Sequence, residues 1–228
     1  MLPFDRAADF SRLRRVRPYR SAFGWHHGKC IDRYYIEAFL AAHREDVHGH
    51  VLEVGSNDYT RRFGGARVAR SDVIDVSEEN QARTITADLT HCPSIDDDTF
   101  DCVICTQTLL FIYDVTAAVR ELHRIVKPAG VVLATLPGIA KICERPLIGG
   151  AGEDYWRFTS SSARRLFGDS FGEKNIEMVT YGNVLAAISF LHGLVVPEFT
   201  VEELDYHDPE YQLMVAVRAR KPVTGSDE

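Results

Sequence analysis

Short apolar runs alternate along most of the chain with segments in which apolar residues recur at helical spacing. Ile31, Tyr35, Phe39 and Leu40 follow the helical repeat, so we predict a helix over 31–43. The apolar runs are typical of buried strands, and further helical patterns separate them. Strands are predicted over 51–54, 67–76, 84–87, 102–105, 131–136, 176–181 and 211–219, and helices over 115–126, 160–167 and 184–194.

This alternation of strands and helices is typical of an α/β fold, in which helices cover both faces of a parallel sheet. We therefore predict a doubly wound, mainly parallel seven-stranded sheet in a single domain over 31–222. Residues 1–30 are expected to form an N-terminal arm or lid, and residues 223–228 a polar tail. In such sheets ligands bind at the carboxyl ends of the strands, near the point where the strand order reverses.

The composition is that of an ordinary globular chain. With 228 residues, of which 45% are hydrophobic and 26% charged, the chain can fill one core. A net charge of −7 argues against nucleic acid as the main partner, and the arginines between Arg12 and Arg20 are interpreted as a solvated arm. Because no apolar run has the length of a membrane span or a secretory signal, we expect no membrane partner and a cytoplasmic location.

The five cysteines do not predict a metal site. Only Cys102 and Cys105 have Cys-x-x-Cys spacing, and no second pair completes a zinc site. On a strand these two side chains would point to opposite faces of the sheet. We interpret both as small buried hydrophobic residues, and we expect no bound metal.

Acidic residues follow three of the predicted strands. Glu53 precedes Gly55 at the end of the first strand, and a glycine there lets the backbone approach a nucleotide-like ligand closely. Asp72 or Asp75 ends the second strand, where a carboxylate can accept hydrogen bonds from two ribose hydroxyls. Asp88 follows the third strand. Taken singly, each of these acids is better explained as a turn or helix-cap residue, but the ordered set beside Gly55 favours a binding site.

Four segments in this order resemble the class I (Rossmann-like) S-adenosylmethionine-dependent methyltransferases. They are Val51-Leu52-Glu53-Val54-Gly55, Ala87-Asp88-Leu89, the run 99–107 and the run 122–130, which ends in Lys-Pro-Ala-Gly. The resemblance is strongest over 51–137. In addition, Asp154-Tyr155-Trp156-Arg157-Phe158-Thr159 resembles an element of a subgroup often associated with glycan or natural-product modification.

The resemblance implies S-adenosyl-L-methionine as the cofactor and S-adenosyl-L-homocysteine as the product. Gly55-Ser56-Asn57 would face the methionine part of the cofactor, and Glu53 would lie near its amino group. Thr106-Gln107, after the fourth strand, would flank the sulfonium.

The resemblance also implies contacts to the nucleoside. Asp72 or Asp75 would hold the ribose, and both remain candidates. Asp88 and the backbone of Leu89 would contact the adenine. The chain departs from the family pattern after Gly55, because Ser56-Asn57-Asp58-Tyr59 lacks the further glycines. Asn57 tolerates a left-handed backbone, and Gly64-Gly65 would supply flexibility to a short or displaced first helix.

Two segments carry candidate catalytic and substrate-binding residues. Trp25, His26 and His27 would form a lid that contains a general base, or else an inert surface loop. In the segment after the fifth strand, Asp154 is a candidate base, while Tyr155, Trp156 and Arg157 are candidate substrate contacts or structural anchors.

We therefore expect methyl transfer to a small-molecule acceptor, most simply to an oxygen of a sugar or a natural-product scaffold. The alternative is an accessory or regulatory protein that binds the cofactor without methylating. A nicotinamide-dependent dehydrogenase is disfavoured because the chain lacks Gly-x-Gly-x-x-Gly. A homodimer is possible, and the acceptor stays unidentified at this level.

Overall fold

The computed structural model describes residues 15–143 and 153–223. The helices are α1 (Ile31–Ala42), α2 (Val115–Ile125), α3 (Ser160–Phe171), α4 (Val184–Leu191) and α5 (Val201–Asp205). The strands are β1 (Gly49–Val54), β2 (Val68–Asp75), β3 (Ile85–Thr86), β4 (Phe100–Thr106), β5 (Val126–Pro137), β6 (Ile176–Tyr181) and β7 (Met214–Arg220). Among the described residues, no helix is long and apolar enough to span a bilayer.

All seven strands form one sheet, in the order β3-β2-β1-β4-β5-β7-β6. The first five strands are mutually parallel, and β7 runs antiparallel to both β5 and β6. This arrangement confirms the predicted mainly parallel, doubly wound fold. The strand order reverses between β1 and β4, so their carboxyl ends define the expected position of a ligand.

Helices pack on both faces of the sheet and form two hydrophobic cores. Residues of α2 and α3 pack on one face, whereas α1 and α4 pack on the other. Cys105 belongs to the first core and Cys102 to the second, and both side chains are fully buried. The prediction that these two thiols face opposite sides of the sheet is therefore confirmed.

Side-chain caps explain where two of the helices begin. The Asp114 carboxylate accepts a hydrogen bond from the Ala117 N–H, which satisfies a free donor in the first turn of α2. Thr159 and Ser162 form a reciprocal capping box at the start of α3. The sequence missed α5, and it placed Val126 in a helix although β5 begins at that residue.

The N-terminal arm is partly docked on the domain. Arg12 and Arg14 lie outside the described residues, and Arg15 and Arg17 are exposed as expected. Arg20 differs, because its guanidinium pairs with Glu198 (2.6 Å) and its N–H donates to the His192 carbonyl. The prediction of a wholly solvated arginine segment was therefore wrong at this residue.

Short turns of 3-10 helix connect several of these elements, at Ala22–His27, Arg44–Asp46, Gly65–Arg67, Leu109–Phe111, Glu173–Asn175 and Val196–Glu198. The first of them packs on α4 through Phe23, whose ring stacks on Phe190 with centroids 5.0 Å apart. Gly24 has a φ of 78°, and a Cβ at this position would lie 2.2 Å from the Gly193 carbonyl oxygen. The close approach explains why a glycine is required here.

Candidate functional site

Gly55 turns the chain sharply at the carboxyl end of β1. Its φ is 81°, in the left-handed region that favours glycine, and its N–H donates to the Ile74 carbonyl of β2 (2.9 Å). A short irregular helical segment follows over 58–67, with a π-helical part at Thr60–Gly64. Asn57 is not among the described residues with a positive φ. The turn therefore uses one glycine and is followed by a short helical segment.

Both carboxylate oxygens of Glu53 accept hydrogen bonds from the start of this helical segment. Oε2 accepts hydrogen bonds from the N–H and the hydroxyl of Thr60 (both 2.7 Å), and Oε1 accepts from Tyr59 N and Ser56 Oγ. Burial raises the pKa of Glu53, and the Thr60 hydrogen bonds only partly oppose this. In this structure the Glu53 oxygens cap the turn, and a contact with a cofactor amino group stays a prediction.

Asp75 ends β2 directly beside Gly55. One carboxylate oxygen accepts from the Ser77 N–H (2.9 Å), and the other accepts from the Asn80 side-chain amide (2.6 Å). The same Asn80 nitrogen donates to the Gly55 carbonyl (2.7 Å). Asn80 therefore bridges the glycine turn and the acid of the second strand, a position that sequence reasoning did not identify.

Asp72 lies away from this edge. It pairs in register with Leu52, three residues before the end of β2, and its carboxylate bonds to the His50 ring nitrogen (2.6 Å) and the Thr84 hydroxyl (2.8 Å). Burial alone would raise the pKa of Asp72, but the hydrogen bonds from His50 and Thr84 outweigh it and lower the pKa. The structure thus places Asp75 and not Asp72 at the end of β2, and which of the two holds a ribose stays a prediction.

Asp88 and Leu89 follow β3 at the same edge. Asp88 is exposed, and its carboxylate accepts from the N–H and hydroxyl of Thr90 (2.8 and 2.9 Å), as in a side-chain-stabilised turn. The Leu89 side chain is buried in the core beneath α2. This geometry is compatible with both roles of Asp88, the stabilisation of a turn and a contact with an adenine.

The carboxyl ends of β4 and β5 carry two unusual features. Gln107, immediately after β4, has a φ of 48°, and its N–H donates to the Thr135 carbonyl (2.9 Å). A left-handed non-glycine residue costs free energy and is frequent at ligand-binding sites. Thr135 pairs in register with Thr106, so their side chains lie on one face of the sheet. The Thr135 hydroxyl is fully buried and has no hydrogen-bond partner.

The start of α1 adds polar groups near the glycine turn. The Arg33 guanidinium lies 3.2 Å from the Tyr59 hydroxyl, and Tyr59 is part of the turn that Glu53 caps. The Asp32 carboxylate accepts from the Arg33 N–H (2.8 Å). Burial raises the pKa of Asp32 although Arg33 opposes it. The sequence assigned no role in the site to Tyr59.

Trp25, His26 and His27 are exposed on the docked turn of the arm. Their neighbour Phe23 contacts the Lys141 ammonium, 4.1 Å from the ring centroid. Lys141 follows the carboxyl end of β5, so the arm reaches the same edge of the sheet as Gly55 and Gln107. A role for either histidine as a base stays a prediction.

Asp154 and Arg157 form an ion pair that joins two segments of the chain. The Asp154 carboxylate accepts from both terminal nitrogens of Arg157 and from the Cys143 N–H (2.7 Å). Arg157 also donates to the carbonyls of Ala140 and Lys141. Burial would raise the pKa of Asp154, but the hydrogen bonds of Arg157 and Cys143 outweigh it and lower the pKa. These contacts favour a structural role for both residues over a base and a substrate contact.

Tyr155 and Trp156 differ in exposure. The Trp156 Nε1–H donates to the carbonyls of Ile112 and Tyr113 (3.0 and 3.2 Å), and its ring packs against the core beneath α2. Tyr155 is exposed, and its ring makes an edge contact with Tyr113 (5.4 Å). Trp156 is therefore held as an anchor, whereas the surface of Tyr155 is available to a ligand.

The structure brings Gly55, Asp75, Thr106 and Gln107 to one edge of the sheet, and it leaves Asp72 outside this group. Across residues 15–143 and 153–223, no cluster of three or more His, Cys, Asp or Glu side chains could hold a metal ion. The residues that sequence reasoning missed are Asn80, Thr135 and Tyr59. They act through tertiary contacts, which no local pattern encodes.

Comparisons with known proteins agree with this geometry. The family model described as "Methyltransferase domain" matches residues 51–134. No curated protein sequence matches the chain. Among solved structures, a S-adenosylmethionine dependent methyltransferase from Mesorhizobium loti is similar at 16% identity, with 84% of this chain and 98% of that chain covered and a TM-score of 0.54.

Two further structures illustrate the range of proteins with this fold. The [4+2]-cyclase SpnF matches at 17% identity, with 92% of this chain and 88% of that chain covered and a TM-score of 0.53. Phosphoethanolamine N-methyltransferase 2 of Haemonchus contortus, in complex with S-adenosyl-L-methionine, matches at 12% identity (85% and 57% covered, TM-score 0.50). The family model thus covers a methyltransferase domain over residues 51–134, and the solved structures show that the chain shares their fold.

Proposed function

We propose that this protein transfers a methyl group from S-adenosyl-L-methionine to an oxygen of a small molecule, of the class of sugars or natural-product scaffolds. The observation that carries the proposal is the left-handed Gly55 at the carboxyl end of β1, where the strand order reverses. It lies within the segment that matches a methyltransferase domain.

The donor and acceptor groups at this edge fit the cofactor. Asp75 offers carboxylate oxygens for ribose hydroxyls, and the backbone of Gly55 to Asn57 lies beside it for the methionine part. The buried Thr135 hydroxyl lacks a hydrogen-bond partner, and a polar ligand at the ends of β4 and β5 would provide one. Asp88 and the Leu89 backbone are the candidate adenine contacts.

Asn80 has to leave its present contacts for the ribose to reach Asp75. Its side-chain amide donates to Asp75 and to the Gly55 carbonyl, much as a ribose hydroxyl would donate to the acid. Most of the residues from Val76 to Ala82 are exposed, so this loop can move without disturbing the core.

The bound cofactor supplies a methyl group on a sulfonium, which is a good leaving group. The protein's own residues then have to orient the acceptor, exclude water and remove its proton. A histidine is suited to take a proton from a hydroxyl near neutral pH, which favours His26 or His27. Asp154 is a poorer candidate because Arg157 occupies its carboxylate. The exposed rings of Trp25 and Tyr155 provide surfaces for stacking an acceptor.

Small-molecule acceptors are favoured over nucleic acid by the net charge of −7. The residues 154–159 that resemble the glycan and natural-product subgroup support the acceptor class, although the Asp154–Arg157 pair is explained by structure alone. The acceptor class is therefore the part of the proposal that most needs an assay.

A second candidate function is cofactor binding without methyl transfer. One observation favours it specifically, namely that Ser56-Asn57-Asp58-Tyr59 lacks the further glycines of the family's turn after Gly55. The shared fold does not decide between the two, because SpnF has this fold and is named a cyclase.

Titration calorimetry with S-adenosyl-L-methionine tests the first part of the proposal, and release of S-adenosyl-L-homocysteine with panels of sugars and phenolic scaffolds tests the second. We expect saturable cofactor binding and acceptor-dependent product release. Replacement of both His26 and His27 by Ala should reduce turnover while cofactor affinity is kept. Absence of cofactor binding would overturn both candidates, and binding without product release would leave the non-methylating one.

A further inference from the structure

Helix α4 is apolar on its outer face as well as on its inner face. Ala186, Ala187 and Phe190 point into the protein and are buried. Four large apolar side chains lie on the opposite side and are between 38% and 46% exposed: Val184, Leu185, Ile188 and Leu191. We call these four residues the outer face of α4. A helix that is hydrophobic all round is normally covered on every side, so the outer face is expected to meet a partner.

The two ends of α4 are flanked by opposite charges. At the N-cap of α4, the Asn183 amide donates to the carbonyls of Glu203 and Tyr206, which brings the acidic helix α5 to this end. Glu202 of α5 is exposed. The acids therefore lie at the N-terminal end of the apolar stripe.

The C-terminal end of α4 meets the arginine segment. The His192 carbonyl accepts from the Arg20 N–H, and the His192 ring contacts Tyr19 at 5.2 Å. The Arg15 guanidinium lies over the Tyr19 ring (3.8 Å to the centroid) and Arg17 is exposed two residues before Tyr19, whereas Arg20 is paired with Glu198. An apolar stripe thus connects a basic flank to an acidic flank.

We propose that the outer face of α4 is the interface of a homodimer in which two copies of α4 pack antiparallel about a two-fold axis. The axis places the N-terminal end of one α4 beside the C-terminal end of the other. Arg15 and Arg17 of one copy then lie near Glu202 of the second copy, and the same contact recurs by symmetry. This inference does not depend on the proposed enzymatic activity.

The charges select a second copy over other occupants. An anionic lipid surface would attract the arginine flank but repel α5, and an acidic or basic peptide would be attracted to only one end. A stable interface buries roughly 800 Å² on each partner, which is more than one two-turn helix provides. The interface therefore has to extend to both flanks, and only a second copy complements both at once.

The test is the association state of the full chain by sedimentation equilibrium. We expect a dimer in the micromolar range. Ile188→Glu places a carboxylate at the centre of the interface, so it should weaken association by at least about tenfold. Val76→Glu is the matched control, because Val76 is 55% exposed directly after β2, which lies on the opposite side of the strand order from the β6 and β7 strands that α4 connects, and it should leave the dimer intact. Circular dichroism verifies that both variants are folded.

Charge reversal tests the antiparallel arrangement. Arg17→Glu should weaken association, and adding Glu202→Arg in the same chain should restore it. A wild-type protein that is monomeric at the highest usable concentration would overturn the proposal. So would dimerisation that appears only after residues 1–14 are removed, capture by anionic vesicles in place of dimerisation, or an Ile188→Glu variant that associates as tightly as the wild type.

Discussion

The carboxyl ends of β1 and β2 and those of β4 and β5 form two halves of one edge, and they use their polar groups differently. In the first half, the carboxylates of Glu53 and Asp75 accept hydrogen bonds from their own chain. In the second half, the Thr135 hydroxyl is buried without a partner and Gln107 has a left-handed backbone. The polar groups of the first half already have hydrogen-bond partners. The second half contains an unpaired hydroxyl and a strained backbone, and both cost free energy.

The difference indicates how each half would respond to a ligand. A buried hydroxyl without a partner costs about 1–3 kcal/mol, and a ligand that bonds to it recovers part of that free energy. At Asp75 a ligand exchanges one hydrogen bond for another, because Asn80 has to leave first. The first half therefore supplies shape and selectivity, whereas the second half contributes more favourable free energy when a ligand binds. Five substitutions test this comparison.

Gly55→Val should have the largest effect, with loss of measurable cofactor binding by calorimetry. A branched residue is strained at a φ of 81°, and its side chain would occupy space at the ligand edge. Gly65→Val is the matched control. Gly65 also has a positive φ, of 55°, but a Cβ there meets nothing within 4 Å. If both variants lose binding equally, backbone strain explains the loss and Gly55 has no special place in the site.

Asp75→Asn should weaken cofactor binding by about 1–3 kcal/mol, because a carboxylate acceptor at the end of β2 is lost. Asp72→Asn should leave the affinity unchanged, since Asp72 faces His50 and Thr84. Isothermal titration of the two variants compares them directly. A larger loss for Asp72→Asn would reverse the assignment made from the structure.

Asp72→Asn should instead change the dependence of stability on pH. The hydrogen bonds of His50 and Thr84 outweigh burial and lower the pKa of Asp72, so ionised Asp72 stabilises the fold above the ordinary pKa of about 3.9. That stabilisation is lost as the pH falls through the lower pKa of the folded state. Urea unfolding of wild type and variant at a series of acidic pH values should show a smaller decline for the variant; parallel curves would contradict this.

Thr135→Val should stabilise the fold by roughly 1 kcal/mol, because it removes a buried hydroxyl that has no partner and keeps a β-branched shape. The same change should lower the affinity for a ligand that bonds to this hydroxyl. Thermal unfolding and calorimetry measure the two effects separately. Increased stability with unchanged affinity would mean that the second half of the edge does not contact the ligand.

Asn80→Ala should have the smallest effect, and its sign should be opposite, because cofactor affinity should rise a few-fold. Each hydrogen bond from Asn80 to Asp75 or Gly55 contributes about 0.5–1.5 kcal/mol to the state in which Asn80 occupies these groups. Asn80→Asp is a second variant for the same test, because repulsion between its carboxylate and that of Asp75 should also move the loop 76–82 away from Asp75. A fall in affinity for Asn80→Ala would show instead that Asn80 binds the ligand.

The fold was largely predictable because its signals are local. The apolar runs of β1, β4 and β5 are continuous, as strands covered on both faces must be. Asp114 and Thr159 mark helix starts by chemistry that acts within four residues. The five-residue helix α5 was missed because so short a segment has almost no periodicity.

The candidate site was only partly predictable. Gly55 and the acids at strand ends could be found in the sequence because both follow apolar runs. Glu53 was assigned to the ligand, yet the turn that follows β1 takes up its oxygens. Asp72 and Asp75 could not be separated, since a three-residue difference lies within the usual uncertainty of a strand boundary.

The sequence by itself determined the order of strands and helices and the edge of the sheet at which a ligand is expected to bind. Both depend on neighbouring residues, namely on hydrophobic periodicity and on a glycine directly after a strand. Only the tertiary structure decided which polar groups at that edge are already bonded. Asn80 reaches Gly55 across twenty-five positions, and the Thr135 hydroxyl is buried without a hydrogen-bond partner. Hydrogen bonding between distant residues depends on their positions in space, which no local pattern specifies.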